Sequence, residues 1–167
     1  MAEPKVQGYI QSINTSFDNI LKVTEDLSEK VIRWNPTEEE WSILQILSHL
    51  TEATPYWLTE VERVLEKPGS EWGRGLQHQE RLEAVESPDQ LNLDEVLANI
   101  KGLKEQVTER LSKVSDSQLT EENPHRNFAK FGNKPVSFII EHFIDEHTVK
   151  HLGQIERNLS KLSGTTK

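Results

Sequence analysis

VSFIIEHFIDEHTVKHLGQIERNLSKL, residues 136–162, is the stretch whose reading decides the fold. Val136, Ile140, Phe143 with Ile144, Ile155, Leu159 and Leu162 return every three or four residues, which places them on one face of a helix. Pro135 suits the first turn of that helix, and Gly164 follows its end. Between Ile144 and Ile155 the stripe carries His147 and His151 where it should be apolar. Four residues are about one helical turn, so both rings point the same way. Burying them costs about 1–3 kcal/mol for each polar group left unsatisfied. A hydrogen-bond network would offset that cost. A metal ion would do so better, because neutral imidazole is a common ligand and an i, i+4 pair can bite one ion.

Three further stretches carry the same period. The first runs from about Lys5 to Ile32 through Val6, Ile10, Ile13, Phe17, Ile20, Leu21, Leu27 and Val31. The second follows NPTEEEWS. Thr37 and Glu40 make a capping-box pattern, and Glu38, Glu39 and Glu40 suit a helix N-terminus. It continues through Ile43, Leu44, Leu47, Leu50, Trp57, Leu58, Val61 and Leu65 to Lys67-Pro68-Gly69, with a kink expected at Pro55. The third opens near Asn92 and carries Leu93, Val96, Leu97, Ile100, Leu103, Val107, Leu111 and Val114. Four amphipathic helices predict an all-α, four-helix bundle in a single domain spanning residues 1–167. The links at 67–91 and 115–134 are long, and LQHQERLEAVE, residues 76–86, suits a minor helix. No run of alternating strands is expected.

The chain has 167 residues, no cysteine and a formal charge of -9. That charge argues against nucleic acid or an anionic membrane as the main partner, since both need clustered Lys and Arg. Without cysteine there is no disulfide, no thiolate metal site and no cysteine nucleophile. The N-terminus lacks an apolar h-region and no run reaches membrane-spanning length, so a cytoplasmic location is the default expectation.

The second helix adds a third histidine. WSILQILSHL puts His49 in a row with Ile46 and Ala53, on the flank of the apolar stripe. His49 can therefore face the same bundle interior as His147 and His151, and bundle cores are recognised locations for metal sites. Three neutral histidines with open positions describe a catalytic site rather than a closed structural one.

RWNPTEEEWSILQILSHLTEATPYW, residues 33–57, together with EHTVKHLGQI, residues 146–155, resembles the DinB-like superfamily of metalloenzymes. The first segment carries Trp34-x-Pro36, then Trp41-Ser42-Ile43 and His49-Leu50; the second carries His147, His151 and Gly153-Gln154-Ile155. The family includes bacillithiol- and mycothiol-dependent S-transferases and a mycothiol-dependent maleylpyruvate isomerase. The resemblance implies an up-down-down-up bundle, commonly a homodimer. It also implies a divalent metal ion (nickel, zinc or iron) on His49, His147 and His151. Many relatives carry a further polar residue or histidine one turn before the pair. Here Phe143 stands four before His147 and His142 five before it, so a regular helix turns His142 to the outer face.

Other residues have two readings each. Gln154 can orient a ligand or pack between helices. Glu52 can accept the free ring N–H of a ligand, but a solvated carboxylate is the favoured reading. Trp41 and Trp57 read as core. Trp72 and Arg74 lie on the glycine-bearing 67–91 link, where they can line a substrate mouth, with Arg74 binding a carboxylate. His78 and His125 fall in links and are expected to be solvent-exposed, although His125-Arg126 can edge a pocket. The functional expectation is a metal-dependent enzyme that activates a low-molecular-weight thiol toward a small electrophile, a thiol S-transferase with no general base assigned. The alternatives are a metal-dependent hydrolase and a non-enzymatic, stress-associated metal-binding or dimerisation module. A di-iron bundle wants Glu-x-x-His, and Ile144 and Thr148 stand where those glutamates would be.

Overall fold

The structure is a computed structural model describing residues 3–74, 79–86 and 88–165. Its helices are α1 (Pro4–Thr24), α2 (Glu29–Ile32), α3 (Ile43–Glu66), α4 (Gln79–Glu86), α5 (Leu93–Leu111), α6 (Phe128–Phe131), α7 (Val136–Ile140) and α8 (Glu146–Thr165). Two short strands, β1 (Glu122–Pro124) and β2 (Asn133–Pro135), pair antiparallel. A π-turn, Glu141–Asp145, joins α7 to α8, so the three pieces make one long fourth helix.

Side-chain pairs give the helix directions. Lys5 and Val6 at the start of α1 donate backbone N–H to Asp116 beyond the end of α5, and Asn14 donates to Thr108. α1 and α5 are therefore antiparallel. Arg110 near the end of α5 meets Thr59 and Glu62 near the end of α3, so those two run parallel. Ser12 of α1 donates to Asp145, and Trp57 of α3 stacks on Phe143 while His49 meets His151 further along α8. The fourth helix thus runs with α1 and against α3, giving up-down-down-up. The core between them is apolar, with Ile13, Phe17, Leu47, Leu58, Ile100, Val107, Ile140 and Ile155 fully buried. No helix among the described residues is long and apolar enough to cross a membrane.

Several local expectations are corrected. The first helix breaks after Thr24, and Ser28 starts α2 by accepting from the Val31 N–H. Thr37 caps only a turn, accepting from the N–H groups of Glu39 and Glu40. The second bundle helix begins six residues later at Ile43. Its capping box is Ser42 with Gln45: Gln45 N–H donates to Ser42 Oγ, and Ser42 N–H donates to Gln45 Oε1. Gln45 wins because it is anchored elsewhere, donating to Val85 O and accepting from Asn35. α3 then runs unbroken past Pro55. The 115–134 link, expected to lack strands, holds the β1–β2 hairpin.

The π-turn has a sequence cause. Val136, Ile140, Ile144 and Thr148 are each fully buried and stand four apart. At about 100° per residue, three steps of four would carry the last about 120° off the face of the first. Bonding from the Glu146 N–H to the Glu141 carbonyl, five residues back, takes up that drift and keeps the stripe inward. Thr148, donating to Ile144 O, occupies the stripe centre, and His147 beside it is half-buried.

Candidate metal centre

His49 lies in the second turn of α3, held at depth by Leu47 and Leu50 in the core, and is 2% exposed. His147 and His151 come from the first two turns of α8, which runs antiparallel to α3 at this level. The three Nε2 atoms converge. His147 Nε2 lies 3.1 Å from His49 Nε2 and 3.0 Å from His151 Nε2, and ligand atoms of all three lie within 4.8 Å of one another. The rings stand nearly perpendicular, at 72–86° for two pairs and 74° for the third. Among the described residues this is the one group of three or more His, Cys, Asp or Glu side chains arranged to hold a metal ion.

Protons alone do not satisfy this arrangement. A ring nitrogen offers one N–H or one in-plane lone pair. A single proton on His147 Nε2 serves one neighbour in a straight bond, and the other contact is left without a hydrogen bond. A divalent ion resolves this by drawing all three lone pairs to itself. With metal–nitrogen bonds of about 2.0–2.1 Å, neighbouring ligands stand about 2.9 Å apart at a right angle and about 3.4 Å at the tetrahedral angle. The observed 3.0 and 3.1 Å fall between these values.

The surroundings also favour neutral rings. Burial lowers the pKa of His49 to about 2, with His147, His151, Arg81 and Arg74 pushing the same way. Burial lowers His147 to about 3, aided by His151, Lys150 and the two arginines. His151 is lowered for the same leading reason, burial, against the opposing bond to Gln154. Gln154 Oε1 sits 2.8 Å from His151 Nδ1, so it accepts the Nδ1–H bond, which fixes the tautomer and leaves the Nε2 lone pair for the cluster. His49 Nδ1 is buried with no hydrogen-bond partner among the described residues. Trp41 closes the far side, its ring 5.0 Å from His49 and 6.3 Å from His151.

The cluster opens into a cavity of about 430 Å³, within the range of small-molecule sites. Trp57 and Phe143, stacked at 4.3 Å, form an apolar wall. Arg74, Arg81 and Lys150 supply positive charge, and His142 and Glu146 stand at the rim. The outer-face assignment of His142 is corrected: the π-turn aligns residues five apart, bringing it round to the cavity that His147 lines. It bonds Glu146 at 3.1 Å and stacks on Phe138.

Four other expectations change. Glu52 is neither solvated nor a ring acceptor. It binds Arg74 through two bonds of 2.6 Å, with the Arg74 side chain only 4% exposed. Arg74 does line the cavity, but the carboxylate it holds is the protein's own, and its guanidinium lies 4.1 Å over Tyr56. Trp72 is buried rather than at a mouth, donating Nε1–H to Asn123 O. His125 is buried too, because Trp72 bridges to it beside the hairpin and its ring packs on Trp72 and Phe131. Its Nδ1 accepts from the Asn127 N–H. His78 lies outside the described residues.

An up-down-down-up bundle with a largely buried three-histidine cluster at one cavity defines the class of protein. The chain matches the DinB superfamily over residues 13–155 and belongs to that family. Two solved structures share the fold. One is YfiT from Bacillus subtilis, described as a probable metal-dependent hydrolase with an unusual four-helix bundle topology. It is 12% identical, with a TM-score of 0.73 over 96% of this chain and 90% of that one. The other is the colibactin self-resistance protein ClbS, solved with double-stranded DNA. It is 13% identical, with a TM-score of 0.67 over 93% of this chain and 95% of that one. No curated protein matches the chain.

Proposed function

We propose that this chain is a divalent-metal-dependent enzyme, with the ion held by His49, His147 and His151, and that its reaction is transfer of a low-molecular-weight thiol to a small electrophile. The observation that carries the reading is the convergence of three neutral, largely buried Nε2 atoms with no carboxylate or cysteine in the set. Three protein ligands with open positions suit catalysis. When bound, the ion supplies positive charge that favours the thiolate form of a thiol placed at it.

The chain's own groups do the rest. Gln154 fixes the orientation of His151. Trp41 excludes water behind the cluster, and Trp57 with Phe143 offers an apolar face to the electrophile. The thiol proton needs an acceptor. If Glu146 accepts the Nδ1–H of His142, the His142 Nε2 lone pair can receive that proton at the rim. Sulfur then forms the new bond to carbon, and the leaving group departs with its electron pair. Hydrolysis is the second chemistry, since a bound ion equally lowers the pKa of water, and the likeness to YfiT favours including it.

Elemental mass spectrometry on untagged protein tests the site. The expectation is about one ion per chain for the native sequence and none for His151→Ala. Metal-loaded protein should then consume thiol with monochlorobimane, while p-nitrophenyl acetate cleavage without thiol would assign hydrolysis. Absence of metal after reconstitution with nickel, zinc and iron would overturn both readings and leave a non-enzymatic module.

A further inference from the structure

The metal-site cavity does not end at Arg74 and Phe143. The same two side chains line a second cavity, of about 530 Å³, whose other walls include His125, Arg126, Lys130 and Phe131. The two cavities therefore adjoin, with Arg74 and Phe143 as their shared wall, and the groove they define runs across that wall from the histidine cluster to the hairpin.

The charge along this groove opposes that of the chain. The sequence carries -9, yet Arg74, Arg81, Lys150, Arg126 and Lys130 line the groove and Glu146 is the one carboxylate lining it among the described residues. Glu52 stands behind Arg74, pairs with it, and acts on Arg81 as well. Among the described residues the hairpin half has two exposed cations and no lining carboxylate. This is concentrated positive potential in a concave site of small-molecule size, on an otherwise acidic body that would repel a long polyanion.

We infer that the hairpin half of the groove is a binding subsite for the anionic tail of a small ligand, with Arg126 and Lys130 holding two or more carboxylate or phosphate groups while the reacting end lies at the histidine cluster. The inference deepens the proposed function and rests on it only for which end reacts. The geometry of the hairpin fixes the subsite: Arg126 N–H donates to Trp72 O, and His125 N–H to Gly132 O. The floor is set by the fold before any ligand arrives.

S-methylglutathione is the probe, because it carries two carboxylates and cannot supply a thiolate to the metal. Its affinity for the metal-loaded native chain is measured by calorimetry beside that of its diethyl ester. The acid should bind about 10- to 100-fold more tightly than the ester, and Arg126→Ala/Lys130→Ala should remove most of that difference. Both residues are exposed, so thermal melts and metal content of the variant should match the native chain. Pyrophosphate forms the phosphate arm: tighter binding than the peptide, lost in the same variant, assigns phosphate rather than carboxylate. Equal affinity of acid and ester together with variant-independent pyrophosphate binding overturns the subsite, even if the metal and thiol turnover are found. A duplex DNA that binds at similar affinity in a variant-dependent way overturns the small-ligand assignment in favour of nucleic acid.

Discussion

Removing Glu52 should destabilise this protein more than any other single carboxylate change near the cavity. Arg74 Nη1 and Nη2 each donate to a Glu52 oxygen at 2.6 Å, and the side chains are only 4% and 17% exposed. Stripping one partner from a buried pair costs about 3–5 kcal/mol, because the other charge keeps its desolvation penalty. Glu52 is not fully buried and Arg74 retains Tyr56 beneath it, so the lower end, about 3 kcal/mol, is expected for Glu52→Leu. In a domain this size each kcal/mol lowers the melting temperature by about 2–4 °C, so the drop should be about 6–12 °C. Arg74→Met should cost less. Glu52→Leu/Arg74→Met should recover most of the loss, since apolar replacement of both partners is often neutral. Urea denaturation of the native chain, both single variants and the double variant gives the coupling energy directly. A Glu52→Leu loss under about 1 kcal/mol, or losses additive within about 0.5 kcal/mol, would refute the buried-pair reasoning.

Three more outcomes are expected. In chelated protein, stability should fall with pH from about 6.5 downward. The unfolded rings take up protons there, whereas folded His147 and His49 stay neutral to about 3 and about 2. The unfolded state thus binds more protons, and these two groups contribute a slope of at most about 2.7 kcal/mol per pH unit. A His49→Asn/His147→Asn variant with the same pH profile as the native chain would sink this. Gln154→Leu should weaken metal affinity about 10- to 100-fold without lowering the melting temperature; an unchanged dissociation constant in competition with a chromophoric chelator speaks against it. Gly73→Ala should cost more than about 1 kcal/mol, because Gly73 has φ +100 and an added Cβ would meet His125 Nε2 at 2.6 Å. A native-like urea midpoint for this variant would contradict that.

The four bundle helices were legible because burial and periodicity coincide: Val6, Ile10, Ile13, Phe17 and Ile20 mark α1 in the sequence and are its core in the structure. His49, His147 and His151 were legible as interruptions of such stripes, and the structure brings them together. What was hidden depends on contacts distant in sequence. Nothing local in Glu52 names Arg74, which is 22 residues away. His125 is buried only because Trp72 crosses to the hairpin, a pairing that no helical period encodes. His142 was misplaced for a different reason. A constant 100° per residue turns it outward, whereas the run of fours from Val136 to Thr148 is the sign in the sequence that the helix departs from that value.

An extra residue in a regular helix carries everything after it about 100° around the axis. Between Glu141 and Asp145 that rotation is absorbed on the spot, and α1 clamps both ends of the turn, Tyr9 on Glu141 and Ser12 on Asp145. The fourth helix therefore has two independent rotational settings. One aims Val136 to Ile140 at the core, and the other aims His147 and His151 at α3. Losing a single residue inside the turn would re-aim both histidines while leaving every candidate ligand in the sequence, so the three-histidine cluster is encoded in the length of the helix as much as in its side chains.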